Sequence, residues 1–358
     1  MTIADIVKQR LINQQFVGTK FTTPKEMVSH LAAVQAQDYE MAKWAVGIRL
    51  SKTENEIEHA IDNGDIIRTH ILRPTWHLVS ADDIRWMLAL TAPHVKSAVA
   101  SAWRSLELDE KIFRRANGII QKALAGRNYL TRAELMSMLQ KKGIGINTLR
   151  SIHLMYRAEL DGIVCNGRKR EKQFTYALLD ERVPFGKILK KEEALAELAK
   201  KYFNSHGYAT LQDFCWWSGL TVANAKMGLD SIKSKLDSVK INNQIYWIYH
   251  TSSSKMKEFE SILFLPAFDE FIVSYKDRSP SLDQKIAKQV ITSNGIFRPT
   301  IVVNGKVEGL WKRTLKKDHV LIEPHFFKSR NRLKKNALSE AVNHYEYFLG
   351  MKTIIKTN

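Results

Sequence analysis

The sequence predicts an α+β fold in which three similar units follow one another and a β-rich unit ends the chain. One pattern of helix-capping residues occurs three times. Each occurrence is followed by a second helical segment and by a pair of strand-forming segments. Beyond about residue 256, short strand patterns replace the helical ones.

The repeated capping pattern is an aromatic residue, any residue, threonine, two further residues and an acid. Its copies are Phe21–Leu31 with the pair Thr23 and Glu26, Tyr129–Leu139 with Thr131 and Glu134, and Tyr208–Leu220 with Thr210 and Asp213. The threonine hydroxyl can accept a hydrogen bond from the N–H at the third helical position, while the acid reaches back to the threonine N–H. The sequence therefore predicts a helix start in each copy.

A second helix and a hairpin are predicted after each capped segment. The predicted helices are Glu54–Asn63, Asn147–Asp161 and Thr221–Leu236, and the predicted hairpins are Ile66–Ser80, Ile163–Leu179 and Val239–Tyr249. Helix, turn, helix and hairpin in this order form the plan of a winged helix. We therefore predict three tandem winged-helix modules, over residues 1–80, 81–185 and 186–255.

The last predicted module, residues 256–358, is small, β-rich and barrel-like. Its predicted elements are strand, turn and strand over Ser261–Tyr275, a hairpin over Arg298–Arg313, a strand over His319–Phe327 and a last helix over Lys334–Phe348. Asn304-Gly305 is the preferred two-residue hairpin turn. No low-complexity linker separates the modules, so we expect one compact scaffold.

The charge balance is strongly basic. Lys and Arg together number 55 and Asp and Glu 37, which leaves a net charge of +18. A fold does not need this excess, and it favours a polyanionic partner, most simply duplex DNA. The alternative is a generally basic protein without a nucleic-acid partner.

Composition also argues against several classes of protein. The apolar runs are too short to span a bilayer, and the amino-terminal segment lacks the pattern of a signal peptide. Cys165 and Cys215 form no metal-type spacing, the histidines are scattered, and no Gly-rich phosphate loop is present. We expect a cytoplasmic monomer (nucleoid-associated if bacterial) with no membrane partner, no metal and no cofactor.

Two glutamines, Gln35 and Gln37, follow the first predicted helix. Residues i and i+2 of an α-helix point to nearly opposite sides, so both amides can face one space only where the helix has ended. One interpretation is helix-end capping, which is common for glutamine; the other is a functional site. Asp38 follows directly and could orient Gln37 or simply cap a helix.

Six stretches carry a family resemblance. In chain order they are AVQAQDYEMAKWAVGIR, RTHILRPTWHLV, CNGRKREKQFTYALLDERVP, TLQDFCWWSGLT, LPAFDEFIVSYKDRS and FRPTIVVNGKVEGLWKRTLKK. Together they resemble the winged-helix proteins that include the AlkZ-type DNA glycosylases, from about residue 5 to residue 330. The resemblance implies three tandem winged helices and a β-barrel-like tail that shape a basic concave surface for duplex DNA. It also implies excision of bases alkylated at guanine N7, including interstrand crosslinks.

The catalytic signature that the resemblance implies is glutamine, an aliphatic residue and glutamine, with a sister branch that has Asp second. It falls on Gln35, Ala36 and Gln37. Glutamine cannot take a proton from water at a useful pH, so the pair suits only a reaction that needs little base. An N7-alkylated guanine is already cationic and leaves as a neutral base. The amides then need only hold a water in line and present oxygen dipoles to the positive charge on the sugar.

Two limits on this activity follow from the same chemistry. Neutral bases such as uracil should not be released, because they leave reluctantly without acid or electrostatic help. No lysine nucleophile matches a motif, so we expect an intact abasic site and no strand cleavage.

Basic and aromatic residues in three segments are candidate DNA contacts. The candidates are Arg68, His70, Arg73, Trp76 and His77 in the first hairpin, Arg168, Lys169, Arg170 and Lys172 at the tip of the second, and Arg298, Lys312, Arg313, Lys316 and Lys317 in and after the tail hairpin. The alternatives are a core role for Trp76 and a solvated face for the charges. A further basic run spans Lys328–Lys335. We favour Arg298–Arg313 as a hairpin that probes DNA, since the resemblance implies such a hairpin in the cleft.

Two residue pairs have mainly structural interpretations. Asp269 and Glu270 could be catalytic, but turn residues or an ion pair with Arg278 are the expected roles. Trp216 and Trp217 are expected in the core.

A non-catalytic DNA-binding regulator is the competing function. It shares the charge and the winged helices but gives Gln35 and Gln37 no common task. A regulator would usually dimerise on symmetric half-sites, and the sequence shows neither heptads nor a separate dimerisation segment.

Overall fold

The computed structural model describes residues 1–18, 21–250, 261–328 and 335–356. It is a mixed α+β fold. The helices are α1 Ile3–Asn13, α2 Pro24–Leu31, α3 Tyr39–Leu50, α4 Glu54–Asn63, α5 Ile84–Ser105, α6 Glu110–Leu124, α7 Arg132–Lys141, α8 Thr148–Leu160, α9 Leu179–Arg182, α10 Lys191–Ser205, α11 Leu211–Ser218, α12 Val222–Ser231, α13 Glu270–Val273, α14 Ala287–Val290 and α15 Lys335–Leu349. The strands are β1 Val34–Gln35, β2 Ile66–His70, β3 Trp76–Ser80, β4 Leu130–Thr131, β5 Val164–Asn166, β6 Thr175–Leu178, β7 Leu236–Ile241, β8 Gln244–Tyr249, β9 Ile262–Leu265, β10 Thr300–Val303, β11 Lys306–Leu315, β12 Val320–Phe326 and β13 Thr353–Ile355.

One order of elements recurs along the chain: a helix, a short extended segment, two helices and a hairpin. Unit 1 (residues 24–80) runs α2-β1-α3-α4-β2-β3, and unit 2 (110–178) runs α6-β4-α7-α8-β5-β6. Unit 3 (191–249) runs α10-α11-α12-β7-β8, with an isolated bridge from Ala209 to Trp247 in place of the short strand. The strand orders β1-β3-β2 and β4-β6-β5 put the last strand of each unit in the centre of its sheet.

The predicted capping chemistry is confirmed at every copy. Thr23, Thr131 and Thr210 each form the reciprocal capping box with the acid three residues later, and Thr53 does the same at the start of α4. Helix α4 has the predicted bounds, and the Asn242-Asn243 turn between β7 and β8 has φ values of 48° and 62°. Local sequence therefore determined where these helices begin and where this hairpin turns.

The repeat pattern nevertheless matched the wrong helix in unit 1. Helix α2 is the first helix of its unit, whereas the capped helices α7 and α11 are the second helices of theirs. The second helix of unit 1 is α3, which the pattern did not predict and which begins at a different cap. There the Asp38 carboxylate accepts the Met41 N–H at 3.1 Å. A capping box marks a helix start but carries no information about the position of that helix in a unit.

The carboxy-terminal part is a five-stranded sheet, curled into a half-barrel, in the order β13-β12-β11-β10-β9. The predicted hairpin is present as β10 and β11, and its turn residues Asn304 and Gly305 have φ values of 49° and 78°. The second strand predicted in Ser261–Tyr275 is wrong, because β9 is followed by the one-turn helix α13. Asp269 caps that turn by accepting the Phe271 N–H at 2.9 Å, so tertiary anchoring of Asp269 overrides the strand propensity of the apolar residues.

Unit 1 and the carboxy-terminal sheet share one hydrophobic core. The ring centre of Trp44 in α3 lies 4.9 Å from that of Tyr345 and 5.0 Å from that of Phe348, both in α15. The Trp44 indole N–H donates to the Phe264 carbonyl at 2.7 Å. Unit 3 packs in a second core with α5, and unit 2 forms a third. The two ends of the chain are therefore packed together. The predicted module boundaries stay predictions.

Within the described ranges, no helix combines the length and the apolar character needed to cross a membrane.

Candidate active site and DNA interface

The two glutamines lie where β1 passes into α3. Gln35 is 4% exposed and pairs in register with His77 of β3, whereas Gln37 is exposed. The backbone N–H of Gln37 donates to the side-chain oxygen of Gln35 at 3.2 Å. Between them, the Ala36 N–H donates to the Trp76 carbonyl at 2.7 Å. Helix α2 has ended before the motif, as predicted. The side-chain amide of Gln35 is fixed, whereas the side-chain amide of Gln37 has no hydrogen-bond partner in the described part of the chain.

Glu270 holds the strand from behind. Its carboxylate is 0% exposed and accepts the Gln35 N–H at 2.7 Å, the Trp217 indole N–H at 3.2 Å and the Ser274 hydroxyl. Burial alone would raise the pKa of Glu270, but the neighbouring His206 and these donors outweigh it and hold the pKa below its ordinary value. The buried anion therefore anchors the backbone of Gln35 and has no free path to a substrate.

The neighbouring Asp269 forms a different ion pair from the predicted one. Its partner is Arg49 of α3, at 2.8 Å and 2.9 Å, and both side chains are almost fully buried. Arg278 instead donates to the carbonyls of Ile272 and Lys276. The prediction of an ion pair with Arg278 is wrong, because the fold places Arg49 of α3, and not Arg278, against the Asp269 carboxylate.

His77 gives the fold a defined pH dependence. Its Nδ1 lies 2.9 Å from the Thr75 carbonyl, the side chain is 1% exposed, and burial lowers its pKa to about 3. Below about pH 6.5 His77 of the unfolded chain binds a proton, while His77 of the folded protein stays neutral. The free energy of unfolding therefore decreases as the pH is lowered from about 6.5 toward 3. From about pH 6.5 to about pH 5, His77 should remove about 2 kcal/mol from the free energy of unfolding.

Urea denaturation at both pH values measures this effect. His77→Asn keeps a donor toward Thr75 but does not titrate, so its unfolding free energy should fall less than that of the wild type over the same range. The exposed His59→Asn is the control and should behave as the wild type does. Equal pH dependence in all three proteins would contradict the assignment.

A cleft of about 850 Å³ opens between unit 1 and unit 2. Arg68 and Trp76 form its unit 1 wall, and Arg68 donates to the Ala36 carbonyl at 3.1 Å and 3.3 Å. The Arg68 guanidinium lies 4.2 Å from the Trp76 ring and 5.0 Å from that of Phe174, which is 45% exposed. The beginnings of α7 and α8 complete the opposite wall. Neither glutamine lines the cleft, and Arg68 connects it to the backbone of the glutamine motif.

This arrangement coincides with a family-wide sequence match. The model of the family described as DNA glycosylase AlkZ-like matches residues 28–348, which include both glutamines and almost the whole fold. The chain belongs to the AlkZ-like DNA glycosylase family. It is therefore a DNA glycosylase, an enzyme that hydrolyses the bond between a base and its deoxyribose.

Two comparisons with individual proteins agree with the family. A protein of Streptomyces sahachiroi described as an interstrand DNA cross-link repair glycosylase is 20% identical over 343 residues, with 89% of each chain covered. The solved structure of the Streptomyces sahachiroi DNA glycosylase AlkZ matches with a TM-score of 0.83 at 19% identity, over 99% of this chain and 100% of that one. At this identity the likeness establishes the fold.

The predicted DNA contacts in the first hairpin of this AlkZ-like glycosylase lie in different places. Arg68 and Trp76 line the cleft. His70 lies 4.0 Å from the Trp76 ring, and its Nδ1 is 2.7 Å from the Glu159 carboxylate. Arg73 lies elsewhere, beside α11. His77 is 1% exposed inside the sheet of unit 1, so its side chain cannot contact DNA directly.

The basic tip of the second hairpin contacts its own glycosylase chain. Arg168 donates to the Asp62 carbonyl at 3.0 Å, Lys169 pairs with Glu58 at 3.2 Å, and Arg170 pairs with Glu134 at 2.7 Å. Lys172 is exposed and lines the cleft. Three of the four cations thus tie the hairpin to other parts of the chain, and Lys172 has the most open position for a phosphate.

The tail hairpin of the AlkZ-like chain is not free at its tip. A Cβ at Gly305 would lie 2.1 Å from Cγ1 of Val7, so the turn packs tightly on α1. The turn itself is therefore covered by α1, which an ideal turn sequence does not reveal, and a role of the hairpin Arg298–Arg313 in probing DNA stays a prediction. Arg298, Lys312, Lys316 and Lys317 are exposed, and Arg313 donates to the Tyr345 hydroxyl. Most of the run Lys328–Lys335 lies outside the described residues.

Sequence reasoning missed two exposed aromatic residues of the glycosylase. Phe174 belongs to the second hairpin but is not among the predicted DNA contacts, and Trp216, which is expected in the core, is 40% exposed. The core prediction holds for Trp217, which is 0% exposed. A usable signal was present, because an aromatic residue beside a basic run is typical of nucleic-acid surfaces.

Proposed function

We propose that this glycosylase hydrolyses the N-glycosidic bond of N7-alkylated purines in duplex DNA, with interstrand crosslinks among its substrates. The observation that carries the proposal is the difference between the two amides: Gln35 is fixed and Gln37 is open. A related glycosylase is described as acting in interstrand cross-link repair, and the shared fold supports the same class of substrate for this chain.

The bond changes balance without a strong base. The electrons of the glycosidic bond move to N9 as it breaks, which neutralises the cationic purine. Water then bonds to C1′ of the electron-poor sugar, and its proton passes to solvent. The products are the free base and an abasic site, and both strands stay uncut.

The two glutamines divide the work. The Gln35 oxygen already accepts the Gln37 N–H, so that oxygen dipole is held in one direction at no cost when the reaction occurs. Gln37 keeps both its carbonyl and its amide hydrogens available, so it can hold the attacking water. Glu270 is buried behind the strand and Asp38 accepts the Met41 N–H at the start of α3, so we assign the work at the substrate to the two amides.

The three repeated units serve as winged helices that present this site to DNA. Each has the helix and hairpin order of a winged helix, and hairpin residues of units 1 and 2 line the cleft between them. An open cleft between two units suits a crosslinked base, which is tied to the opposite strand and cannot be extruded in the usual way.

Base release from three matched duplexes tests the proposal. N7-methylguanine and an N7-linked interstrand crosslink should be processed, whereas a uracil duplex should not, because uracil leaves as an anion. Alkaline treatment should be needed to cut the strand after release. Binding without release of any base would instead favour a regulator, and uracil release would refute the amide mechanism.

Phe174 should contribute stacking in the cleft. Loss of one aromatic ring that stacks on a base costs about 1–3 kcal/mol, so Phe174→Ala should weaken binding of N7-methylguanine DNA by about tenfold. Fluorescence anisotropy on that duplex measures the change. Phe185→Ala, which removes a phenylalanine that is 87% exposed and lies outside the cleft, is the matched control. Equal affinities for the two variants would remove Phe174 from the interface.

A further inference from the structure

Two arginines lie beside the exposed Trp216, away from the cleft. Arg73 comes from the loop between β2 and β3, Trp216 from α11, and Arg278 from the segment after α13. The guanidinium carbons of Arg73 and Arg278 are 5.9 Å and 5.1 Å from the indole centre. Three elements that are distant in sequence therefore bring two cations and one aromatic face together.

Close backbone packing holds Arg73 in this place. Gly219 ends α11 with a φ of 71°, and a Cβ there would lie 2.6 Å from the Leu72 carbonyl oxygen and 3.5 Å from Cγ of Arg73. Glycine alone permits both the backbone conformation and the approach. The loop that carries Arg73 is thus seated directly on the end of α11.

The other two members are equally fixed. The Trp216 indole N–H donates to the Val273 carbonyl at 2.9 Å. Arg278 donates to the Ile272 carbonyl at 3.0 Å, and its guanidinium lies between the rings of Trp216 and Phe297, 5.0 Å from the latter. The cluster is therefore arranged before any ligand binds.

The two cations have no carboxylate partner in the described part of the chain. The Nε of Arg73 and the Nη2 of Arg278 are buried and unpaired. Burial, together with the charge of Arg73, lowers the pKa of Arg278 to about 10, so Arg278 stays charged at neutral pH. Glu270 acts on Arg73 as a nearby charge, and Asp213 and Asp277 act on Arg278 in the same way, but none of them forms an ion pair with either guanidinium. Buried donors without acceptors are rare in folded proteins. The two terminal nitrogens of Arg73 are neither fully buried nor paired within the described residues, so an anionic ligand can reach them.

We propose that Arg73, Arg278 and Trp216 form a binding site for one phosphate of the DNA backbone. The inference rests on the proposed function only in taking DNA as the ligand. Guanidinium groups match phosphate oxygens with several donors at once, and the exposed indole face can pack against the adjoining sugar or base. Arg73 supplies the accessible donors, and Arg278 supplies a fixed neighbouring charge.

The site is coupled to the glutamines through α13. Glu270 of this helix accepts the Gln35 N–H, and Val273 of the same helix accepts the Trp216 indole N–H. A phosphate bound at Arg73 is thereby held at a constant distance from Gln35. The cluster sets which nucleotide of a bound strand faces the motif.

Binding of an undamaged duplex at several salt concentrations tests the site without any turnover. Arg73→Ala should weaken binding about tenfold at low salt and reduce the slope of log affinity against log salt by about 1. Arg73→Lys keeps the charge but loses the forked donors, so it should retain the slope and show a smaller loss. The exposed Arg104→Ala on α5 is the matched control for loss of one positive charge.

Two outcomes would overturn the site. One is Arg73→Ala and Trp216→Leu variants that are folded by circular dichroism and bind with the affinity and slope of Arg104→Ala. The other is protection of the wild type against thermal unfolding by inorganic phosphate with no loss of DNA affinity in Arg73→Ala, which would indicate a site for free phosphate. Because the duplex is undamaged, failure of the proposed base chemistry would not affect either result.

Discussion

Gln37→Ala should lower the rate of N7-methylguanine release by about 100-fold to 1,000-fold, the usual effect of removing one preorganised polar group from a reaction centre. The Gln37 side chain is exposed and has no partner in the described structure, so its loss should leave the fold unchanged. Single-turnover release of free base, measured by chromatography, reports the chemical step, and the affinity for undamaged DNA should equal that of the wild type.

The companion variant Gln35→Ala should lose at least as much activity and some local order. It removes the side-chain oxygen that accepts the Gln37 backbone N–H, so the turn that carries both residues loses this hydrogen bond. Gln289→Ala, at an exposed glutamine of α14, is the matched control and should keep full activity. If Gln37→Ala released base at the wild-type rate, the motif would have no part in catalysis and the resemblance would extend to the fold only.

Arg49→Ala should cause the largest loss of stability, about 3–5 kcal/mol, because it leaves Asp269 as an unpaired charge in the interior. Arg49 also donates to the Gln14 carbonyl at 3.0 Å and to the Gln14 side-chain oxygen at 2.9 Å, and it lies 4.1 Å from the Phe16 ring. The substitution therefore disconnects α1, α3 and α13. Urea unfolding followed by circular dichroism gives the free-energy difference.

A double variant distinguishes the ion pair from simple packing. Arg49→Met with Asp269→Leu removes both charges and fills a similar volume, so it should be more stable than either charge-deleting single variant. Lys25→Ala, which breaks the exposed pair with Asp82, should change stability by less than about 1 kcal/mol. Losses in the double variant as large as the sum of the two single losses would show that the pair contributes no specific coupling.

Local chemistry explains what was predicted well. A threonine with an acid three residues later forms a capping box in almost any context, since both partners belong to one turn. The turns at Asn242-Asn243 and Asn304-Gly305 are equally local, because these residues accept the positive φ that a two-residue hairpin needs. The end of helical structure before Gln35 and Gln37 follows from the same short-range rules.

Contacts between distant residues explain the errors. The carboxylate of Asp269 turns an apolar strand-like stretch into α13 because Arg49, 220 residues away, fixes it. The exposure of Trp216 depends on where unit 3 meets the loop of Arg73, and the burial of the tail hairpin tip depends on α1. None of these partners can be read from the residues beside them.

The sequence by itself determined the basic character of the chain, the starts of its capped helices, its hairpin turns and the identity of the glutamine motif. Tertiary structure alone decided that Gln35 is buried and held by Glu270 while Gln37 is open, and that Arg73, Trp216 and Arg278 meet. The physical reason is range: a cap or a turn forms within a few residues, whereas burial and charge pairing depend on which distant surfaces are packed together.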